Sequence, residues 1–180
     1  ESANAMYYMA LAGWKTQDML DGLEGIMYLA AASGEDLAMV SDIVTDGLTA
    51  LGYAADQSTH YADVFAKTVT NSNSTVETLG EAMKYVGPIA GALNISVEDT
   101  ATALGLMANA GVKSSQAGTS LRGILQRLAT NTSGARDEME SLGVKIFDQN
   151  GKMRDFGDIM NDARIKLSKL TDQQKTSLAK

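Results

Sequence analysis

The chain has no cysteine, one proline (Pro88), one histidine (His60) and one tryptophan (Trp14). Without cysteine there is no disulfide framework, no thiolate zinc site and no nucleophilic thiol. Long apolar runs are missing too. Runs such as IMYLAAA, residues 26–32, fall far short of the roughly 18 to 20 residues that span a bilayer, so no membrane span is expected. The start, ESANAMYYMALAG, has no initiating Met and no basic stretch ahead of its apolar one. That is the pattern of an internal segment rather than of a secretory signal.

Positive charge is scarce at one end. Residues 1–60 hold nine acids and one base, residues 61–120 five and three, and residues 121–180 eight and eleven, for a net charge of −7. Wrapping nucleic acid needs Lys and Arg clustered along the path of the phosphates. This gradient argues against that role and against sequence-specific nucleic-acid binding, and leaves only the last third able to attract an acidic partner.

What is present is enough to fold. With 180 residues, 44% apolar and 21% charged, the composition is that of a globular domain or two small lobes and not of a disordered chain. Helical periodicity dominates. LAGW, ALGY, NAGV and SLGV each end a 3.6-period segment with Gly and then an apolar residue, the signature of a left-handed helix stop, at Gly13, Gly52, Gly111 and Gly143. Between the stops the spacing predicts a face of Leu20, Leu23, Met27 and Ala30, despite Gly22 and Gly25, and a second of Leu37, Val40, Val44, Leu48 and Leu51. A third face carries Tyr61, Val64, Phe65, Thr68 and Val69.

Ser74 with Glu77, and Ser96 with Asp99, have capping-box spacing. Pro88 falls inside the first of those two helices and predicts a kink or break near Gly87. Val97, Ala101, Leu104 and Ala108 then share a face, as do Ala117, Leu121, Ile124, Leu125 and Leu128. Val144, Ile146 and Phe147 lead to an Asn150-Gly151 pair, a hairpin signal. The expected fold is therefore mainly α: a compact bundle of about eight short antiparallel helices with one small β-hairpin near residues 144–154. GYAADQ, GVKSSQ and the one-residue-shorter GWKTQ echo one another at three corners, which reads as one good corner used three times rather than a duplicated hairpin.

The chemical readings are weaker than the structural ones. NAGVKSSQAG has the Gly, Lys and Ser of a phosphate-binding loop. Gly105 and Gly111 have the wrong spacing, however, Val112 intervenes before Lys113, and a helix rather than a strand precedes it. It reads as a helix corner. His60, with Asp56 four residues before and Asp63 three after, makes at best three metal ligands, so an exposed, paired histidine is expected. DQNG, residues 148–151, lacks the register of a calcium loop. The pairs Glu35 with Asp36 and Glu98 with Asp99 sit where a helix N-terminus favours negative charge, and capping explains them without acid–base chemistry. Ten methionines at helical spacings read as core filler, and GPIAGALN as close helix packing. No catalytic, cofactor-binding or metal position emerges, and no enzyme activity is expected.

AMKYVGPIAGALNISVEDTATALGLMANAGVKSSQAGTSLRGILQRLA (residues 82–129) resembles the core region of phage tail tape-measure proteins of long-tailed phages and prophages. LAGWKTQDMLDGLEGIMYLAAASGEDLAMVSDIVTDGLTALG and NSNSTVETLGEAMKYVGP are similar to the family's stretch ahead of that core, and GVKIFDQNGKMRDF to the family's stretch just after it. The resemblance implies a structural protein inside the tail tube, made in the bacterial host cytoplasm, that sets tail length and takes part in DNA ejection. The partners it implies are the tail tube protein, tail-assembly chaperones, the baseplate or tail-tip hub, and further copies of itself. The positions that carry the resemblance, Gly13, Trp14, Gly87, Pro88, Gly111, Gly118, Thr119 and Leu121, are expected to act in corners and packing. Residues 1–132 would be the helical core region, with residues 133–180 packed on the same domain. Two other readings make different demands. An interaction module for a hub, chaperone or envelope partner calls for one contiguous exposed patch of Met and aromatics, and a cell-wall hydrolase calls for a polar cleft with perturbed carboxylates.

Overall fold

The computed structural model describes residues 2–132 and 134–178. Ten α-helices account for most of them: α1 (Ser2–Leu11), α2 (Thr16–Ser33), α3 (Leu37–Leu51), α4 (Ser58–Asn71), α5 (Val76–Ala92), α6 (Val97–Asn109), α7 (Ser114–Thr130), α8 (Ala135–Ser141), α9 (Phe156–Ser168) and α10 (Asp172–Leu178), with a 3-10 turn at Ala55–Gln57. The chain divides into two compact units, Glu1–Arg122 and Gly123–Lys180.

In the first unit α3 packs against α5 and α1, α2 against α4, and α4 against α6. Their shared interior holds Met9, Ile26, Leu29, Val40, Val44, Leu48, Tyr61, Phe65, Leu79, Met83 and Val86. α1 is also tied down by a polar contact, since the buried Ser41 hydroxyl of α3 donates to the carbonyl of Ala5 at 2.9 Å.

All four expected helix stops are left-handed, with φ of +83° at Gly13, +74° at Gly52, +90° at Gly111 and +79° at Gly143. Each lets the chain turn back on the last helical turn: the Val112 amide, for instance, donates to the Met107 carbonyl at 2.9 Å. The caps are legible as well. Asp36 opens α3 by accepting from the amides of Ala38 and Met39, both at 3.0 Å, and Ser96 opens α6 by accepting from the Asp99 amide at 3.1 Å.

Four expectations need correction. The inward face of α2 is not Leu20, Leu23, Met27 and Ala30. It is Gly22, Gly25, Ile26, Leu29 and Ala30. The two glycines are the reason: a Cβ on Gly25 would lie 2.6 Å from the Thr59 Cα, and one on Gly22 would run into the Trp14 ring. The small residues face inward so that α4 and Trp14 can come close, and the large ones turn out. Second, α5 starts one residue later than expected, with Thr75 rather than Ser74 at the cap, accepting from the Thr78 amide at 3.1 Å. Third, α5 does not break: it continues through Gly87 and Pro88, with Gly87 packed on Ala50, 2.8 Å from where its Cβ would be, and Pro88 itself exposed. Packing on both sides of the proline outweighs one missing hydrogen bond.

The fourth correction concerns the hairpin. Among the described residues of 144–154 there is a single antiparallel bridge, Phe147 with Met153, and no strand. Gly151 does turn with φ +76°. The Asp148 carboxylate takes the amides of Asn150 at 2.8 Å and Lys152 at 2.9 Å, and Asp155 already caps α9 through the Asp158 amide at 3.0 Å. Two backbone bonds cross the loop, from the Asp148 amide to the Lys152 carbonyl at 2.8 Å and from the Arg154 amide to the Ile146 carbonyl at 2.9 Å, and side-chain capping takes over at either end. The second unit is instead held by Leu125, Leu128, Val144, Ile146, Phe156 and Ile159, all buried, with the Arg136 guanidinium 5.5 Å above the Phe147 ring.

Candidate functional site

The positions singled out in the sequence do not gather at one place. Gly13 and Gly111 end helices. Trp14 covers Gly22, and Gly87 seats α5 on Ala50. Gly118 lets α7 touch the backbone of Ala82, with that residue's Cα and carbonyl carbon each 2.9 Å from where a Cβ would sit. Leu121 is buried one turn further on, whereas Pro88 and Thr119 face outward. They form a set of corners and close crossings, and NAGVKSSQAG is one of the corners, with Ser114 at φ +53° opening α7.

His60 is exposed and paired, as expected, but with a different partner. Its Nε2 lies 2.7 Å from Glu98 Oε1 on α6. Asp56 belongs to the 3-10 turn, so it does not share a helix face with His60. The pair stands at one end of an open groove of about 580 Å³ between α4 and α6, lined also by Lys67, Thr68, Gly105 and Leu106. No group of three or more His, Asp or Glu able to hold a metal occurs among the described residues.

Two polar groups carry no signal in the sequence. The Tyr61 hydroxyl fills the space where Gly47 lacks a side chain, and no group among the described residues hydrogen-bonds to it. Burial, with the charge of Asp46 second, raises its pKa well above the ordinary 10.0. Asp46 in turn is raised by partial burial and by Asp42, against the pull of Lys84, which lies 3.9 Å away. Both carboxylates of α3 lie beside Lys84 of α5, which is 3.8 Å from Asp42 and 3.9 Å from Asp46. Such a tyrosine gives a direct prediction. Tyr61→Phe removes a desolvated hydroxyl and should raise stability by about 1 kcal/mol. A raised folded pKa means that the wild-type contribution is whole below pH 10 and drains away above it as the unfolded phenol ionises. In urea melts across pH the advantage of Phe should therefore widen above pH 10; a constant gap would mean that the folded phenol ionises as readily as the unfolded one.

The methionines divide. Met83 is buried, Met107 half-buried and Met27 exposed. Met27 joins Leu20, Leu23, Glu24 and Tyr28 around one shallow depression of about 290 Å³ on α2.

The model of the family described as phage-related minor tail protein matches residues 1–180. The chain belongs to that family. As a phage-related minor tail protein it is similar to the tape measure protein of Pneumococcus phage Dp-1, 39% identical over 97% of this chain and 15% of that protein. It is similar also to the probable tape measure protein of Escherichia phage P2, 25% identical over 94% of this chain and 21% of the other. The chain thus spans about a seventh to a fifth of the length of these tail-protein relatives. No solved structure matches it. No described helix of this minor tail protein is long and apolar enough to cross a membrane.

Proposed function

We propose that this chain is a folded module of a tape-measure protein, with a structural rather than a catalytic role in the phage tail. It lies in the lumen of the tail, where the full-length protein sets tail length and takes part in DNA ejection. The observation that carries the reading is the family match over all 180 residues together with one relative named a tape measure protein and another named a probable one. Glycine-closed helices and close crossings support a folded module, and the length-setting coiled segments then belong to the rest of the much longer protein. Its partners are the tail tube protein, tail-assembly chaperones and the baseplate or tail-tip hub. The motif positions Gly13, Trp14, Gly87, Pro88, Gly111, Gly118, Thr119 and Leu121 serve the fold, and residues 133–180 complete the same module as residues 1–132.

An in-frame deletion of residues 1–180 from the parent phage gene, with tail lengths measured by electron microscopy, tests this. A folded module needed for assembly predicts loss of tails. Shortening by roughly 270 Å, at 1.5 Å per residue, would instead make the segment part of an extended ruler. Tails of normal length without infectivity would move its work to ejection.

A further inference from the structure

Of the eight asparagines in the chain, Asn150 alone is followed by glycine. The structure leaves it free where it ties others down. The side-chain amides of Asn71, Asn109, Asn131 and Asn161 are each hydrogen-bonded, to the Lys67 carbonyl, the Asn73 amide, the amides of Arg136 and Asp137, and the Arg164 guanidinium. Among the described residues nothing bonds to the side chain of Asn150, which is exposed and engages the loop through its backbone amide, 2.8 Å from Asp148 Oδ1. The next nitrogen along the chain, that of Gly151, is exposed too and donates one long bond, at 3.2 Å, to the Asp148 carbonyl. No strand holds either residue, and glycine has no Cβ to screen its nitrogen.

We propose that Asn150-Gly151 is a site of spontaneous deamidation, at which the second unit gains a carboxylate after it has folded. The Gly151 nitrogen gives its proton to solvent and bonds to Asn150 Cγ, while the Cγ–Nδ2 bond breaks and Nδ2 leaves as ammonia. The five-membered imide then takes up one water. Opening at Cγ yields aspartate; opening at the backbone carbonyl yields isoaspartate, in which the chain runs through Cβ and Cγ. Either product sets a second carboxylate two residues from Asp148. Isoaspartate also lengthens the backbone by one carbon between the amides of residues 150 and 152, which Asp148 Oδ1 holds at 2.8 and 2.9 Å. Both bonds cannot then be kept, and the bridge between Phe147 and Met153 loses its register. The loop between the buried Ile146 and Met153 therefore loosens. The inference concerns the folded segment itself and stands or falls apart from the tail role.

Peptide mass spectrometry of the purified folded chain, held in warm and mildly alkaline buffer, decides it. Residue 150 should convert about tenfold faster than any other asparagine. Its rate should rise with hydroxide and lie within about twofold of that in a free peptide spanning residues 145–155, because the loop does not shield it. Asn150→Gln, whose longer side chain would need a six-membered imide, should keep its amide. In the isoaspartate form the Lys152 amide, released from Asp148, should exchange with solvent about tenfold faster. A folded chain that keeps the amide of Asn150 while the peptide loses it would overturn the proposal, since the loop would then protect the site. So would conversion no faster than at Asn73, which is followed by serine. Unchanged exchange at Lys152 would overturn the loosening of the loop.

Discussion

Gly118→Ala is expected to destabilise the first unit by about 3 kcal/mol, while the same change at Gly123, five residues along the same helix, is expected to stabilise the protein by about 1 kcal/mol. The helix-propensity gain is the same at both positions, so the difference lies in what a methyl group would meet. At Gly118 it meets backbone: the Ala82 carbonyl oxygen occupies the position, with the Ala82 Cα 2.9 Å away. Backbone atoms in the middle of α5 cannot rotate aside as a side chain can, so α7 must lift off α5. Lifting it exposes Ala117 and Leu121, which are buried in that seam. At Gly123 nothing lies within 4 Å. Thermal melts should show Gly118→Ala losing about 10 °C and Gly123→Ala gaining a few. Equal shifts would mean that α7 does not rest on Ala82.

That asymmetry between two glycines of one helix marks the limit of what the sequence conveys. Helix stops at Gly13, Gly52, Gly111 and Gly143 are legible because a left-handed residue with an apolar one after it is a local signal, needing no knowledge of neighbours. The same holds for the Ser96 cap of α6 and for its stripe of Val97, Ala101, Leu104 and Ala108. The glycines that serve crossings carry no such mark. Gly22 and Gly25 weaken a helix locally, and only the presence of Trp14 and Thr59 against them explains their place. Reading large apolar residues as the inward ones therefore turns α2 the wrong way round. It also hides the stripe of Leu20, Met27 and Tyr28 that the helix presents to solvent. The hairpin fails for a related reason. Asn150-Gly151 specifies a turn, but whether strands grow from it depends on what Asp148 and Asp155 bind first. His60 reads correctly as paired, and its partner, Glu98, is 38 residues away in the chain, beyond the reach of any spacing rule.

Phe65→Ala is the second large effect, expected to cost about 4 kcal/mol. Phe65 is fully buried, and its ring stacks on that of Tyr61 with centroids 4.5 Å apart and planes inclined by 27°. Truncation removes the buried area, leaves a cavity among side chains of several helices, and forfeits the ring pair, itself worth about 1 kcal/mol. Leu106→Ala, at a position 66% exposed on the rim of the α4–α6 groove, should change stability by less than about 0.5 kcal/mol and serves as the control. The two variants also separate fold from length in the phage. A ruler that acts only by its number of residues is indifferent to Phe65, since the substitution deletes none. A module that must be folded to enter the tail is not. Phage carrying Phe65→Ala should then form tails at low temperature and fail at high temperature, and the tails that do form should be of full length. Full-length tails at every temperature, from a chain shown by melting to be unfolded, would mean that the tail uses this segment as extended chain.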